Sequence, residues 1–158
     1  LAESGIAYAL LRNGWYTENY LASAPAALEH GVFIGAAGEG KIASATRADY
    51  AAAAARVISE DGHSGKTYEL AGYAGWTLSQ LAAELAKQSG KKVVYQNLSE
   101  ADFAAALKGV GLPAGLADML ADSDVGASKG GLFDDSHTLS KLIGRPTTSL
   151  ADSVKSIV

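Results

Sequence analysis

Residues 65–98 carry the pattern that most constrains this chain. An apolar run, "GKTYELAG", is followed by "TLSQLAAELAKQSG" and then by a second apolar run, "KKVVYQNL". The middle segment has a complete helix signature. Thr77 and Gln80 stand at capping-box spacing, Leu78, Leu81, Ala82 and Leu85 form one apolar stripe, and Gly90 stops the helix. Strands alternating with helices in this way favour a predominantly parallel sheet.

The same alternation extends along the chain. Ile6 to Leu11 has the length and apolar continuity of a buried strand. Tyr16 to His30 is helical in composition, divided by Pro25 at the first turn of a second short helix and ended by Gly31. Val32-Phe33-Ile34 and Lys41-Ile42 read as short strands around a Gly-rich turn. Helices are expected from Thr46, with Asp49 at box spacing, and from Ser99, with Asp102. Residues 112–134 read as helix and loop, and "SHTLSKLIGRP" and "SLADSVKSIV" as two further short helices. The expected fold class is α/β. The opening "LAESG" reads as the last turn of a helix closed by Gly5, and no initiator Met or signal peptide precedes it. The expectation is a piece of a longer protein.

Composition excludes several functions. With 158 residues, 48% hydrophobic and 19% charged, the chain can bury one core and is not of disordered composition. A net charge of −4 with scattered Lys and Arg argues against nucleic acid. No run of 18 apolar residues predicts a membrane span. The absence of cysteine rules out thiolate chemistry and suits a cytoplasmic location.

Several motif fragments have dull readings that outweigh the chemical ones. "GASKG", Gly126 to Gly130, has the letters of a nucleophile elbow without the strand before it or the helix after it, and is expected to be a flexible loop. Asp122 and Asp124 begin like a calcium loop, but the remaining ligand positions are missing. Asp134-Asp135 reads as a helix N-cap, and His30, His63 and His137 lack metal-ligand spacing. No metal is expected. "GAAGEG", Gly35 to Gly40, reverses the order of the dinucleotide fingerprint and reads as a β-turn.

The stretch "RNGWYTEN" is different. It leaves the end of an apolar run with an amide, a glycine and two aromatics. The bland reading is a strand-to-helix turn with Thr17 as cap. The functional reading rests on position: ligands of open α/β sheets sit outside the carboxyl ends of strands. A turn there can offer backbone N–H groups, an amide side chain and aromatic faces, and Gly14 would let a ring approach the backbone.

"YALLRNGWYTENYLASAPAALEHGVFIGAAGEGKIASATRADYAAAAARVI", "GKTYELAG" and "TLSQLAAELAKQSGKKVVYQNLS" together resemble the C-terminal half of the NmrA-like atypical short-chain dehydrogenases, among them the bacterial NADPH-dependent quinone oxidoreductases of type 2. The resemblance covers essentially all 158 residues. It implies the C-terminal part of a Rossmann-like NAD(P)-binding fold plus a small α/β substrate-side lobe. Residues 1–65 would belong to the Rossmann-like domain, whose N-terminal half is absent. Residues 66–158 would form the substrate-side lobe and C-terminal helices. The phosphate loop and the residue that selects the cofactor's 2′-phosphate would lie in the absent half.

By the same resemblance the cofactor is NADPH and the partner a quinone. Asn13, Gly14, Trp15, Tyr16, Thr17 and Glu18 match the family's cofactor-contacting turn. The implied chemistry is hydride transfer from NADPH to the quinone, in which the protein holds two planar rings in contact. No catalytic residue is assigned; Tyr16 and Tyr20 are candidate proton donors by type alone. The isolated piece is expected to be inactive. The alternative within the family is a dinucleotide-binding redox sensor that regulates partners without turnover. Oligomeric state is left open.

Overall fold

The structure is a computed structural model that describes residue 1 and residues 3–158. Strand β1 spans Leu10–Asn13, and helices α1 and α2 span Thr17–Leu21 and Ala24–His30. Strand β2 is Val32–Gly35, helix α3 Arg47–Ser59 and strand β3 Thr67–Leu70. Helix α4 is Leu78–Ser89, strand β4 Val94–Asn97 and helix α5 Glu100–Gly109. Helices α6, Ala114–Ser128, α7, Thr138–Ile143, and α8, Leu150–Lys155, complete the order.

The strands pair in parallel, as the alternation predicts, but not in one sheet: β3 and β4, which flank α4, fall in different sheets. β1 pairs with β3, Leu10 opposite Thr67 and Asn13 opposite Leu70. β2 pairs with β4, Val32 opposite Val94 and Gly35 opposite Asn97. Each pair takes one strand from either side of residue 65, so the two two-stranded sheets interleave along the sequence. Single bridges, Tyr16 to Ala45 and Ile42 to Trp76, stitch the segments between them.

Local chemistry explains the helix ends. Thr77 accepts the Gln80 N–H while the Gln80 side chain accepts the Thr77 N–H, and Gly90 closes α4 at φ 69°. The stripe Leu78, Leu81, Ala82 and Leu85 is buried in the main core with Tyr20, Phe33, Ile42, Trp76 and Val154. Pro25 sits in the first turn of α2, and Gly31 ends it at φ 74°. Thr46 and Ser99 also cap their helices, but Asp49 and Asp102 bond the cap hydroxyls instead of reaching back to the cap N–H. Smaller clusters form around Tyr50, Leu70 and Leu139, and around Phe103, Ala104 and Ala121 where α5 meets α6.

Several expectations need correction. The first strand is not buried Ile6–Leu11 but the mostly exposed Leu10–Asn13, and Ile6 is 70% exposed. Gly65 N–H already meets Tyr8 O and Leu10 N–H meets Lys66 O, but the regular ladder runs only from Leu10 and Thr67, past the turns at Gly62 and Gly65. Lys41-Ile42 makes a single bridge and no strand, since Trp76 leads directly into α4. "GASKG" begins in the last turn of α6 rather than forming a loop. His137, at φ 56°, precedes α7, while Asp134 accepts the Ser136 N–H instead of capping the helix. At the start of the chain, Ser4 N–H reaches Leu1 O and Gly5 has φ 70°. The rest of that expected helix turn falls on Ala2, outside the described residues.

Candidate functional site

Parallel pairing brings the carboxyl ends of β1 and β3 side by side. A cleft of about 450 Å³ opens there, lined by Arg12, Asn13, Gly14 and Trp15 from the first strand and its turn, and by Glu69, Leu70 and Ala71 from the second. Ala43 and residues 131–134 complete its walls. A groove of about 430 Å³ lies elsewhere, between Ala7–Leu11 and the end of α3. It sits at the opposite end of β1, away from the carboxyl edge where such folds bind ligands.

The turn is held by the neighbouring strand. Gly14 N–H donates to Leu70 O at 2.8 Å. A Cβ at Gly14 would fall 2.9 Å from that same oxygen and 3.3 Å from the Tyr50 hydroxyl. Close approach of β3's backbone therefore requires glycine here before any ligand is considered. Asn13 is exposed, and its side-chain amide donates to the Tyr16 hydroxyl at 3.3 Å. The Trp15 Nε1–H is buried with no acceptor among the described residues.

Tyr16, Thr17 and Glu18 stand behind the cleft wall rather than on it. The Tyr16 ring meets Tyr50 edge-on at 5.3 Å and lies 4.9 Å from the Arg47 guanidinium. Glu18 accepts the Arg47 backbone N–H at 2.8 Å. Thr17 is not the cap expected from the sequence; Tyr16 takes the cap position, and the buried Thr17 hydroxyl pairs with Ser44 at 2.8 Å. The bond fastens α1 to the segment that precedes α3.

Tyr20 points into the core. Its hydroxyl donates to the Asp124 carboxylate at 3.0 Å, and its ring contacts Trp15 and Trp76. Burial, then the charge of Asp124, pushes the phenol far above its usual range. Asp124 also accepts the Ala36 N–H at 2.8 Å. Burial outweighs both donors and leaves its carboxyl above the usual range. Tyr95 nearby is pushed up to about 12, first by burial and then by the Asp124 charge. Asp124 thus joins α6 to the turn after β2. Among the described residues no cluster of three or more metal-ligating side chains is present.

The cleft residues that sequence reasoning missed are Ala43, Glu69 to Ala71 and the loop Gly131 to Asp134. Their one local signal was an aromatic, Phe133, stranded between a Gly pair and an Asp pair.

No family model matches the chain. Over 154 residues, 98% of its length, it is 86% identical to quinone oxidoreductase 2 of Escherichia coli (strain K12), of which it covers 54%. It matches the crystal structure of an NADPH-dependent quinone oxidoreductase from Escherichia coli complexed with NADPH with a TM-score of 0.96 and 85% identity, over 99% of this chain and 55% of that one. A Citrobacter sp. triphenylmethane reductase complexed with NADP(H) matches with a TM-score of 0.91 and 38% identity, over 97% of this chain and 54% of that one. The chain spans about half the length of the curated relatives it matches.

Proposed function

We propose, for a chain that belongs to the NmrA-like atypical short-chain dehydrogenases, that it contributes the nicotinamide-side turn and the substrate-side lobe of an NADPH-dependent quinone oxidoreductase. One observation carries the reading. Asn13, Gly14 and Trp15 stand on the wall of a cleft at the carboxyl ends of two parallel strands, where a dinucleotide's reactive end is expected. The 86% identity to a protein named as a quinone oxidoreductase supports an enzyme over a sensor without turnover.

The residues present suit a planar, amide-bearing ring. The exposed Asn13 amide can pair with a carboxamide, and the Trp15 Nε1–H is a buried donor still lacking an acceptor. Tyr16, Thr17 and Glu18 would serve by holding the turn, through Arg47 and Ser44. When bound, NADPH would supply the hydride, and the chain's part is to orient the ring and exclude water. The 158 residues contain no Gly-rich phosphate loop, so the pyrophosphate grip must come from elsewhere. The same proposal replaces the division at residue 65 with an interleaved one, because each sheet takes one strand from either side of that residue. The β1–β3 sheet with α3 is the Rossmann side, and the β2–β4 sheet with α4, α5 and α6 is the lobe. Neutral quinone as substrate and a cytoplasmic location complete it. Among the described residues no helix is long and apolar enough to cross a membrane.

The test is a hybrid in which this chain replaces the matching residues of Escherichia coli quinone oxidoreductase 2. Quinone-dependent oxidation of NADPH by the hybrid is the expected result. NADPH binding without any turnover would favour the sensor.

A further inference from the structure

The loop after α6 lines the same cleft as the Asn13 turn, and backbone bonds tie it in place. Ala43 N–H donates to Leu132 O at 2.8 Å, and Gly72 N–H donates to Ala43 O at 2.8 Å. With the Gly14 N–H bond to Leu70 O, these bonds tie the turn, the end of β3, residue 43 and the loop into one frame. Leu132 packs against the main core. Phe133, next to it, lines the cleft and stays 42% exposed.

That exposed ring is held in place. It rests against Gly75, where an added Cβ would fall 2.7 Å from Cε2 and 2.8 Å from Cδ2. The Lys41 ammonium lies 5.9 Å from its centroid. An aromatic side chain seated on a glycine and bordering a cleft of about 450 Å³ presents a fixed apolar face to whatever enters. The charged groups on the cleft wall are Arg12, Glu69 and Asp134, and the first two pair with each other at 2.7 Å. Asp134 is left without an ion pair, and the Lys41 ammonium beside the Phe133 ring is of opposite sign, so the wall has no strong net charge and suits a neutral planar ring.

We propose that Phe133 is a specificity-determining residue that forms the acceptor-side wall of the cleft and stacks on the quinone ring. Gly75 is the positioning residue that makes room for it. This rests on the reductase reading and adds to it the residue that recognises the acceptor.

The experiment compares the hybrid enzyme with its Phe133→Ala, Phe133→Tyr and Gly75→Ala variants, using a naphthoquinone as probe. Phe133→Ala should raise the naphthoquinone KM by roughly tenfold, the loss of one aromatic contact. The KM for NADPH and kcat should stay within about twofold, as for lost uniform binding of one substrate. Phe133→Tyr should keep the parent value, and Gly75→Ala, which displaces the ring, should reproduce part of the rise. An unchanged naphthoquinone KM in Phe133→Ala overturns the proposal. Quenching of tryptophan fluorescence by naphthoquinone provides an equilibrium Kd that needs no turnover. An unchanged Kd in Phe133→Ala overturns the wall even in an inactive hybrid. Binding that depends on Phe133 in a hybrid that oxidises no NADPH sinks the reductase reading and leaves the wall standing.

Discussion

The Tyr20 hydroxyl donates to the Asp124 carboxylate across 104 residues of sequence, at 3.0 Å, inside the core. Tyr20→Phe removes one of the two donors that reach this buried acid and should cost about 1–3 kcal/mol near neutral pH. The folded carboxyl lies above its ordinary 3.8, so its contribution is fully present below that value and is lost as pH rises through the folded pKa. Losing the tyrosine raises the folded pKa further. Urea denaturation should therefore show the variant's deficit shrinking as pH falls towards the acid range. A deficit independent of pH would mean that Asp124 is not the partner that matters.

Asp49 has the opposite sign. Burial alone would raise its pKa, but the Thr148 N–H, the Thr46 hydroxyl and the Arg145 guanidinium outweigh it and hold the carboxyl below its ordinary 3.8. The stability it adds is present above that value and disappears as pH falls through the folded pKa. Arg145 is half exposed, so Arg145→Ala should cost only about 1 kcal/mol. It should also shift the acid limb of the melting curve to higher pH. Parallel curves of Tm against pH for the two proteins would exclude the ion pair as the cause.

Leu81 is fully buried among Leu78, Leu85 and Trp76. Leu81→Ala should cost about 2–5 kcal/mol, the lost transfer energy plus a residual cavity. A loss below about 1 kcal/mol in denaturant titration would show that this face of α4 repacks freely.

Gly14 and Asn13 separate folding from function. Gly14→Val drives a side chain into the Leu70 carbonyl and should part β1 from β3, at about 1–3 kcal/mol. Asn13→Ala alters an exposed side chain and should change stability by less than about 0.5 kcal/mol. In the hybrid enzyme it should raise the KM for NADPH about five- to tenfold, as for one lost hydrogen bond. An unaltered KM removes Asn13 from the cofactor site.

The chain by itself should bind NADPH no better than millimolar and reduce no quinone. A micromolar dinucleotide site corresponds to about −8 kcal/mol. Each charge-assisted bond of a missing pyrophosphate grip removes roughly 1.5–3 kcal/mol of that. Calorimetry on the purified chain is the measurement, and a micromolar dissociation constant would show that the turn alone holds the cofactor.

Short-range chemistry was legible in the sequence. Thr77 with Gln80, the Leu78–Leu85 stripe, Pro25, Gly31 and Gly90 act within one or two helical turns, so neighbouring residues suffice to define those helices. That the pairing would be parallel was legible as well, because strands alternate with helices; which strands pair was not, since β3 and β4 on either side of α4 lie in different sheets. Tertiary structure decided whatever depends on a distant partner. The first strand starts at Leu10 rather than Ile6 because its partner turns at Gly62 and Gly65, where the single bond from Gly65 N–H to Tyr8 O does not extend the ladder. Thr17 gives up the cap to meet Ser44, and Asp49 keeps the Thr46 hydroxyl but takes Thr148 and Arg145 in place of the cap N–H. Phe133 reaches the cleft because Leu132 is anchored to Ala43, a contact between residues 89 apart that no local pattern encodes. Local propensity works over a few residues, whereas a cleft wall is assembled from whichever segments the packed core brings to one edge.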